Sequence, residues 1–240
     1  MNFKGKTILV TRPQEQAEKT IREFEAQGAS VLHIPFIEIT DPSDHYATLD
    51  EALASLFQYH WILFTSGNAV ARFFSRPHAP CGKDLSSRVA AVGPETAKLL
   101  HDLDVHDMII AETPSAEGLL EILRNYSFEG KRVLFPRAKE GRDMLVQGLE
   151  KRGAIVDVVE TYQTIFPKDF DHEQFIHLMD EGKLDVVHFA SPSAVKHFMQ
   201  MILERGLQEK MCRLQFLAIG STTETTLRNY GIESLENIEK

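Results

Sequence analysis

The chain has 240 residues, of which 43% are hydrophobic and 25% are charged, a composition typical of a globular protein with one large or two small domains. Its net charge of −9 argues against a general surface for nucleic acid or for an anionic membrane. No apolar run approaches the roughly 18–20 residues of a membrane span, and the first apolar stretch turns polar at Thr11, too early for a signal peptide. Cys81 and Cys212 have no partner at metal-ligand spacing, which predicts reduced thiols in a cytoplasmic protein.

The first elements are predicted to form a strand-helix-strand unit. Lys6 to Val10 reads as a strand, and Pro13 suits the first position of the following helix, because that position needs no backbone N–H. Gly28 provides a left-handed stop for this helix. Ala29 to Ile34 then forms the second strand of the unit.

Strands and helices continue to alternate along the rest of the chain. Further strands are predicted at Trp61 to Phe64, Val89 to Val92, Met108 to Ala111, Arg132 to Phe135, Val186 to Phe189 and Gln215 to Ile219. Helices are predicted at Asp44 to Gln58, from Ala69 onward, and at Pro94 to Leu103, Ala116 to Leu123, Gly141 to Arg152, Ser193 to Arg205 and Thr222 to Tyr230. This alternation predicts an α/β fold with parallel sheets covered on both faces.

The two halves of the chain repeat each other at a constant offset. Pairs of identical residues 125 positions apart include Phe64 and Phe189, Ser66 and Ser191, Leu9 and Leu134, Arg12 and Arg137, and Gly28 and Gly153. A further match, at an offset of 127, pairs Thr96 with Thr223. A period this long indicates a duplicated α/β structure with paired sites rather than a solenoid.

Two short segments interrupt the alternation. Residues 36–42 and 161–167 each follow the second strand of a repeat, alternate in polarity and end in a proline. Ile37 and Tyr162, one in each segment, also stand 125 positions apart. We expect two extended segments that lie side by side and connect two domains.

Polar residues gather where predicted strands end and helices begin. Ligands of parallel sheets bind at this edge, where helix N-termini present free N–H groups. The residues here are hydroxyls and bases with almost no carboxylate, a set that suits an anionic ligand. Serine and threonine are also ordinary helix N-caps, so the alternative for each hydroxyl is that it caps a helix and binds no ligand. The candidate binding residues are Arg12, Thr65, Ser66, Asn68, Thr96, Arg137, Ser191, Ser193, Thr222 and Thr223.

Sequence motifs for other chemistries are missing. The sequence contains no dinucleotide-binding glycine motif, no P-loop and no nucleophile elbow. The histidines form no ligand pair at helical spacing. His33 and His188 fall inside predicted strands, where a hydrogen-bonded core or edge histidine is expected rather than a metal ligand. Neither a metal site nor a cofactor site is predicted.

Several segments, in their order along the chain, resemble those of uroporphyrinogen-III synthases. They are TRPQEQAEKTIREFEAQGASVLHIP with FIEI, FTSGNAV, AVGPETAKLL, PSAEGLL, VLFPRA, VETYQT, FASPSAV and AIGSTT. No single segment is specific, but the ordered set covers nearly the whole chain. The resemblance implies two similar three-layer, flavodoxin-like α/β domains with parallel sheets, a two-stranded linker, and an active site in the cleft between the domains. The implied boundaries are 1–35 and 168–240 for the first domain, 42–160 for the second, and 36–41 and 161–167 for the linkers.

The same resemblance implies an activity. The family closes hydroxymethylbilane, a linear tetrapyrrole with eight carboxylates, into uroporphyrinogen III with loss of water and inversion of ring D. No cofactor or metal is used, and the enzyme is a carbon–oxygen lyase of tetrapyrrole biosynthesis, which leads to haem, sirohaem or cobalamin. Tyr162 matches the family's recurrent tyrosine and is the expected catalytic residue, as proton donor to the leaving hydroxyl. Positions that line the family's cleft are matched by Thr65, Ser66, Thr96, Ser191, Thr222 and Thr223.

The expected partner is the small-molecule linear tetrapyrrole, with neither nucleic acid nor membrane, and a transient contact with the preceding pathway enzyme is left open. The residues alone also leave open a non-enzymatic alternative, a two-lobed α/β sensor that closes on a small anion.

One departure from the family pattern concerns the end of the chain. Val105 to Leu123 ends the first half with a strand and a helix, whereas the chain stops at residues 236–240. The final helix of the first domain is therefore expected to be missing or shortened.

Overall fold

The computed structural model of the chain describes residues 3–141 and 143–235. Its strands are β1 (Thr7–Val10), β2 (Ser30–His33), β3 (Glu38–Thr40), β4 (Trp61–Phe64), β5 (Arg88–Ala91), β6 (Met108–Ile110), β7 (Arg132–Ala138), β8 (Ile155–Ile165), β9 (Val186–Phe189) and β10 (Gln215–Ala218). Its helices are α1 (Gln14–Ala26), α2 (Ala47–Ala54), α3 (Gly67–Phe74), α4 (Pro94–Asp102), α5 (Ala116–Ile122), α6 (Met144–Glu150), α7 (His172–Glu181), α8 (Pro192–Glu204), α9 (Gln208–Met211) and α10 (Ser221–Asn229). The chain divides into two compact units: unit 1 is Met1–Ile39 with Ile165–Lys240, and unit 2 is Thr40–Thr164.

Unit 1 is built on a four-stranded sheet in the order β10-β9-β1-β2. The strands are parallel, with Leu9 of β1 opposite Val187 of β9. Successive residues of β1 face opposite sides of the sheet: Leu9 belongs to an apolar cluster with Phe198 of α8, whereas Ile8 belongs to one with Phe24 of α1. Apolar residues are therefore buried on both faces, as expected for a parallel sheet between helices.

The second sheet has the order β3-β8-β7-β4-β5-β6. The pairs from β8 to β6 are parallel, and β3, which spans the boundary between the units, is the edge strand next to β8. Every residue of β4 is buried. Leu63 of β4 packs in a cluster with Leu119 of α5, and the ring of Phe64 lies 5.4 Å from that of Phe73 in α3. The predicted α/β class with parallel sheets is confirmed.

Two predicted helices begin later than expected. The carboxylate of Asp44 accepts hydrogen bonds from the N–H groups of Tyr46 (3.0 Å) and Thr48 (2.9 Å), so that α2 starts only at Ala47. Likewise α6 starts at Met144 rather than at Gly141. Pro13 was predicted at the first helical position but stands one residue earlier, with an extended ψ of 150°.

Two helices were not predicted, α7 and α9. The ends of α7 carry ordinary signals that could have been found in the sequence. The carboxylate of Asp171 accepts a hydrogen bond from the N–H of Gln174 (2.8 Å), and Gly182 closes the helix with a left-handed φ of 64°. The helix α9 has four residues, too few for a periodic pattern to indicate it.

The expectation of a missing final helix concerns residues 236–240, which lie outside the described residues. The last helix described is α10. Within residues 3–141 and 143–235, no helix combines the length and the apolar character that crossing a bilayer requires.

Candidate active site

The N-terminus of α3 lies at the carboxyl end of β4, near the middle of the sheet of unit 2. Ser66 has extended dihedral angles (φ −157°, ψ 149°) and is the N-cap of α3. Its Oγ accepts a hydrogen bond from the N–H of Ala69 at 3.2 Å. Thr65, Ser66 and Asn68 are half-buried. The predicted strand-turn-helix therefore presents these polar side chains at the positive end of a helix.

Tyr162 is positioned by a bulge in β8. Arg137 of β7 lies opposite Glu160, but Ala138 lies opposite Tyr162, so Thr161 is an extra residue in β8. Thr161 is fully buried, and its hydroxyl donates to the carbonyl oxygen of Arg137 at 3.2 Å. A bulge interrupts the alternation of side chains along a strand and changes the direction of the next one. The bulge thus sets the direction of the Tyr162 side chain.

The Tyr162 hydroxyl lies beside the N-cap of α3. The Tyr162 oxygen is 3.1 Å from Ser66 Oγ, and Asn68 also hydrogen-bonds the hydroxyl. The side chain is 8% exposed. Burial raises the pKa of Tyr162 above its usual value, the hydrogen bonds from Ser66 and Asn68 act to lower the pKa, and the charge of Glu140 raises it. The phenol is therefore protonated at neutral pH and can donate its proton.

Arg137, at the end of β7, is held by two features of the loop that follows. Its Nη2 donates to Oδ1 of Asp143 at 2.7 Å, and its side chain is 12% exposed. Its stem packs so closely on Gly141 that a Cβ there would lie 2.8 Å from Arg137 Cδ. The predicted scarcity of carboxylates at this edge needs correction, because the loop brings Asp143 and Glu140 there.

Thr96 of α4 and Thr223 of α10 occupy equivalent third positions in their helices. They are 5% and 3% exposed. These values leave each hydroxyl little surface with which to contact a ligand. Their predicted role in binding stays a prediction, and the equivalent burial matches the duplication seen in the sequence.

The remaining candidates lie at the carboxyl edge of the unit 1 sheet. Ser191 is the N-cap of α8, and its Oγ accepts from the N–H of Ala194 at 3.1 Å, just as Ser66 caps α3. Ser193 follows in the first turn of α8, half-buried. Thr222 is half-buried at the start of α10, where its carbonyl oxygen accepts from the hydroxyl of Thr226 at 2.8 Å. Both helix N-termini can favour an anion.

Arg12 joins this edge from the end of β1. Its Nη1 donates to the Thr20 hydroxyl at 3.3 Å, and its carbonyl oxygen accepts from His33 Nε2 at 2.9 Å. The hydrogen-bonded histidine predicted at position 33 is thus confirmed. His188 is different, since it is fully buried and neither ring nitrogen has a partner among the described residues. The ring of Phe24 packs against it at 5.2 Å and the charge of Arg12 acts on it without a hydrogen bond, so the prediction that its ring is hydrogen-bonded is wrong.

Comparison with known proteins identifies the family. A family model described as "Uroporphyrinogen-III synthase HemD" matches residues 18–236. The chain belongs to the uroporphyrinogen-III synthase family. It is 32% identical over 220 residues to the uroporphyrinogen-III synthase of Synechococcus elongatus, and the alignment covers 90% of this chain and 82% of the relative. It is 30% identical over 235 residues to that of Chlorobaculum parvum, with 95% and 91% covered.

Solved structures of uroporphyrinogen-III synthases share the fold. A mutant form of the Thermus thermophilus protein has a TM-score of 0.67 at 18% identity and covers 98% of this chain and 94% of its own. The Helicobacter pylori protein has a TM-score of 0.57 at 20% identity, with 95% and 91% covered. At these identities the likeness shows the fold alone.

The uroporphyrinogen-III synthase fold brings some of the predicted residues together and adds others. Ser66, Asn68 and Tyr162 meet in unit 2, whereas Arg137 of the same edge is paired with Asp143. Sequence reasoning missed Asp143 and the bulge at Thr161, because neither a loop ion pair nor a strand irregularity follows a residue pattern. Among the described residues, no group of three or more histidines, cysteines and carboxylates could hold a metal ion.

Proposed function

We propose that this chain converts hydroxymethylbilane into uroporphyrinogen III, with Tyr162 as the general acid. In enzyme classification this is a cofactor-independent carbon–oxygen lyase. The observation that supports the chemistry is the buried, neutral phenol of Tyr162, 3.1 Å from Ser66 Oγ at the N-terminus of α3. A buried phenol with hydrogen-bond donors around its oxygen can release a proton in the transition state and recover it afterwards.

The reaction needs a proton donor and a dry, ordered site, and no exchange of electrons. The hydroxyl oxygen of the substrate takes a proton, the C–O bond breaks, and water leaves. The electron pair of the pyrrole nitrogen stabilises the cationic azafulvene that remains. Ring D attacks this carbon through the α-carbon that already carries its bridge to ring C, and a new C–C bond forms. The older C–C bond between ring D and that bridge then breaks and re-forms at the free α-carbon of ring D, which inverts the ring. This α-carbon finally loses its proton. Because water would trap the azafulvene, the site has to exclude solvent.

The substrate carboxylates have candidate partners in each unit. In unit 2 we assign this role to Arg137 with the hydroxyl and amide groups of Thr65 and Asn68, and in unit 1 to Arg12 with Ser193 and the N-termini of α8 and α10. Guanidinium groups and helix N-termini both favour carboxylates. The net charge of −9 offers no long-range attraction for a polyanion. Binding therefore depends on these local donors, which fold the flexible substrate so that its ends meet.

We also propose a cytoplasmic reaction with a transient contact to the enzyme that supplies the substrate. Cys81 and Cys212 are free and exposed, which is in keeping with a reducing compartment. Because the substrate readily forms an azafulvene that reacts with water, direct transfer from the enzyme that supplies it would protect it from solvent. Chemical cross-linking of the two purified enzymes during turnover tests the contact.

The test of the function is an assay with hydroxymethylbilane and separation of the product isomers. We expect the purified chain to yield the type III isomer, while a heat-denatured sample yields only the isomer in which ring D is not inverted. Formation of the uninverted isomer alone would refute the proposal. Binding of the substrate without any turnover would instead favour the sensor.

A further inference from the structure

The Ser66 hydroxyl is placed to serve two partners. Its oxygen accepts the N–H of Ala69, which fixes the side chain at the N-terminus of α3. The same oxygen lies 3.1 Å from the Tyr162 hydroxyl. A serine hydroxyl has one hydrogen to donate and two lone pairs to accept with. With one lone pair used by Ala69, Ser66 can still donate its hydrogen to the Tyr162 oxygen.

The duplicated half of the chain shows that helix capping alone does not require the tyrosine. Ser191 caps α8 with the same geometry, at 3.1 Å from the N–H of Ala194. The residue that corresponds to Tyr162 in that half is Ile37, which packs in an apolar cluster with Ala194. Where the position only fills space, an aliphatic side chain is therefore sufficient. The phenol beside Ser66 is an addition specific to unit 2.

Two side chains from the N-terminus of α3 meet at the Tyr162 oxygen. Ser66 Oγ, from the N-cap of this eight-residue helix, lies at 3.1 Å, and Asn68, from its first turn, also hydrogen-bonds the oxygen. The charged group that opposes them is Glu140, whose Oε2 accepts from the N–H of Thr164 at 3.3 Å. Hydroxyl and amide donors and the positive end of a helix all favour a negative oxygen over a neutral one.

We propose that Ser66 is a positioning residue for Tyr162 rather than a ligand of the substrate. The Ser66 hydroxyl donates a hydrogen bond to the Tyr162 oxygen, so that the Tyr162 proton points away from Ser66, toward the leaving hydroxyl. The same donor stabilises the phenolate once that proton has been transferred. This role rests on the proposed function for its catalytic consequence, while the hydrogen bond itself is independent of any activity.

The test compares variants that separate helix capping from the contact with Tyr162. Ser66→Ala removes both, and Ser66→Gly removes the hydroxyl while a glycine cap keeps most of the helix stability. Ser66→Thr restores a hydroxyl. The matched control is Ser115→Ala, because Ser115 caps α5 in the same unit by accepting the N–H of Gly118 at 3.0 Å, away from Tyr162.

The decisive readout is the ring Cζ chemical shift of Tyr162, measured by NMR on tyrosine-labelled protein at neutral pH and through an alkaline titration. The Tyr162 signal is assigned by its loss in Tyr162→Phe. We expect Ser66→Ala and Ser66→Gly to change the chemical shift and to raise the pKa of Tyr162 further, because a donor to the phenolate is lost. Ser66→Thr should restore the wild-type signal, and Ser115→Ala should leave it unchanged. In the hydroxymethylbilane assay, kcat should fall about tenfold in Ser66→Ala with a smaller change in KM.

An unchanged Tyr162 signal in Ser66→Ala and Ser66→Gly would overturn the proposal. So would an altered signal accompanied by a higher KM at constant kcat, which would indicate a substrate ligand. If the wild-type chain fails to convert hydroxymethylbilane, the proposed function fails, yet the NMR comparison still decides whether Ser66 acts on Tyr162.

Discussion

His188 should make the stability of the protein depend on pH. Its imidazole is fully buried and belongs to β9, the strand between β1 and β10, and burial together with the charge of Arg12 lowers the pKa of His188 from 6.5 to about 4. In the unfolded chain the ring binds a proton near pH 6.5, whereas the folded protein does not until about pH 4. Above pH 6.5 the ring is neutral in both states and adds no pH dependence. Between these values the unfolded state binds more protons, so stability falls as the pH falls.

The size of this effect follows from the two pKa values. Each pKa unit is worth about 1.4 kcal/mol, so the free energy of unfolding should drop by about 3 kcal/mol between pH 6.5 and pH 4. His188→Leu replaces the ring by an apolar side chain and should be neutral or stabilising at pH 7, because no hydrogen bond to a described residue is lost. Urea unfolding of the wild type and of His188→Leu across this pH range measures the difference in their free energies of unfolding. Paired carboxylates such as Asp185 contribute the same pH dependence to both proteins, so their effect cancels in the comparison. Parallel pH profiles for wild type and His188→Leu would refute the reasoning.

Two further predictions concern binding and the core. Arg137→Ala should raise KM for hydroxymethylbilane about tenfold or more, because a charge-assisted hydrogen bond is lost. The control Arg124→Ala, which removes an exposed ion pair with Glu121, should leave KM unchanged. Equal KM values for both variants would exclude Arg137 from substrate binding. Phe36→Ala should lower the free energy of unfolding by about 3–5 kcal/mol, since its buried ring packs edge-on against Phe175 at 5.2 Å. A loss below about 1 kcal/mol in chemical denaturation would show that the site collapses around the smaller side chain.

The alternation of elements was predictable because buried parallel strands and amphipathic helices leave strong local patterns. Trp61–Phe64, for instance, is an unbroken apolar run in the sequence and a fully buried strand in the structure. Helix ends were less predictable, since a side chain decides them by its own hydrogen bonds. Asp44 delays α2 in this way, although aspartate is equally common as a direct N-cap.

The candidate site was predictable in its composition but not in its geometry. The hydroxyls at strand ends could be read directly, and Ser66 and Ser191 are the helix caps that their spacing indicates. The contact between Ser66 and Tyr162 joins residues 96 positions apart and depends on the bulge at Thr161. For His188 the sequence predicts the strand but not the hydrogen bonding. Whether its ring nitrogens find a hydrogen-bond partner depends on neighbours that only the fold brings close.

The most direct test of the central claim is the turnover of hydroxymethylbilane by Tyr162→Phe. The variant keeps the ring and removes only the hydroxyl, so that the loss of the Ser66 hydrogen bond should cost about 1 kcal/mol of stability. Loss of a general acid should lower kcat for the type III isomer by about 10²–10⁴-fold. The matched control is Tyr59→Phe, since Tyr59 is a buried phenol just before the amino end of β4, with its pKa raised to about 12 by burial and a hydrogen bond to Asp157. Nearly full turnover by Tyr162→Phe, or a loss no larger than that of Tyr59→Phe, would contradict the claim that the phenol of Tyr162 protonates the leaving hydroxyl.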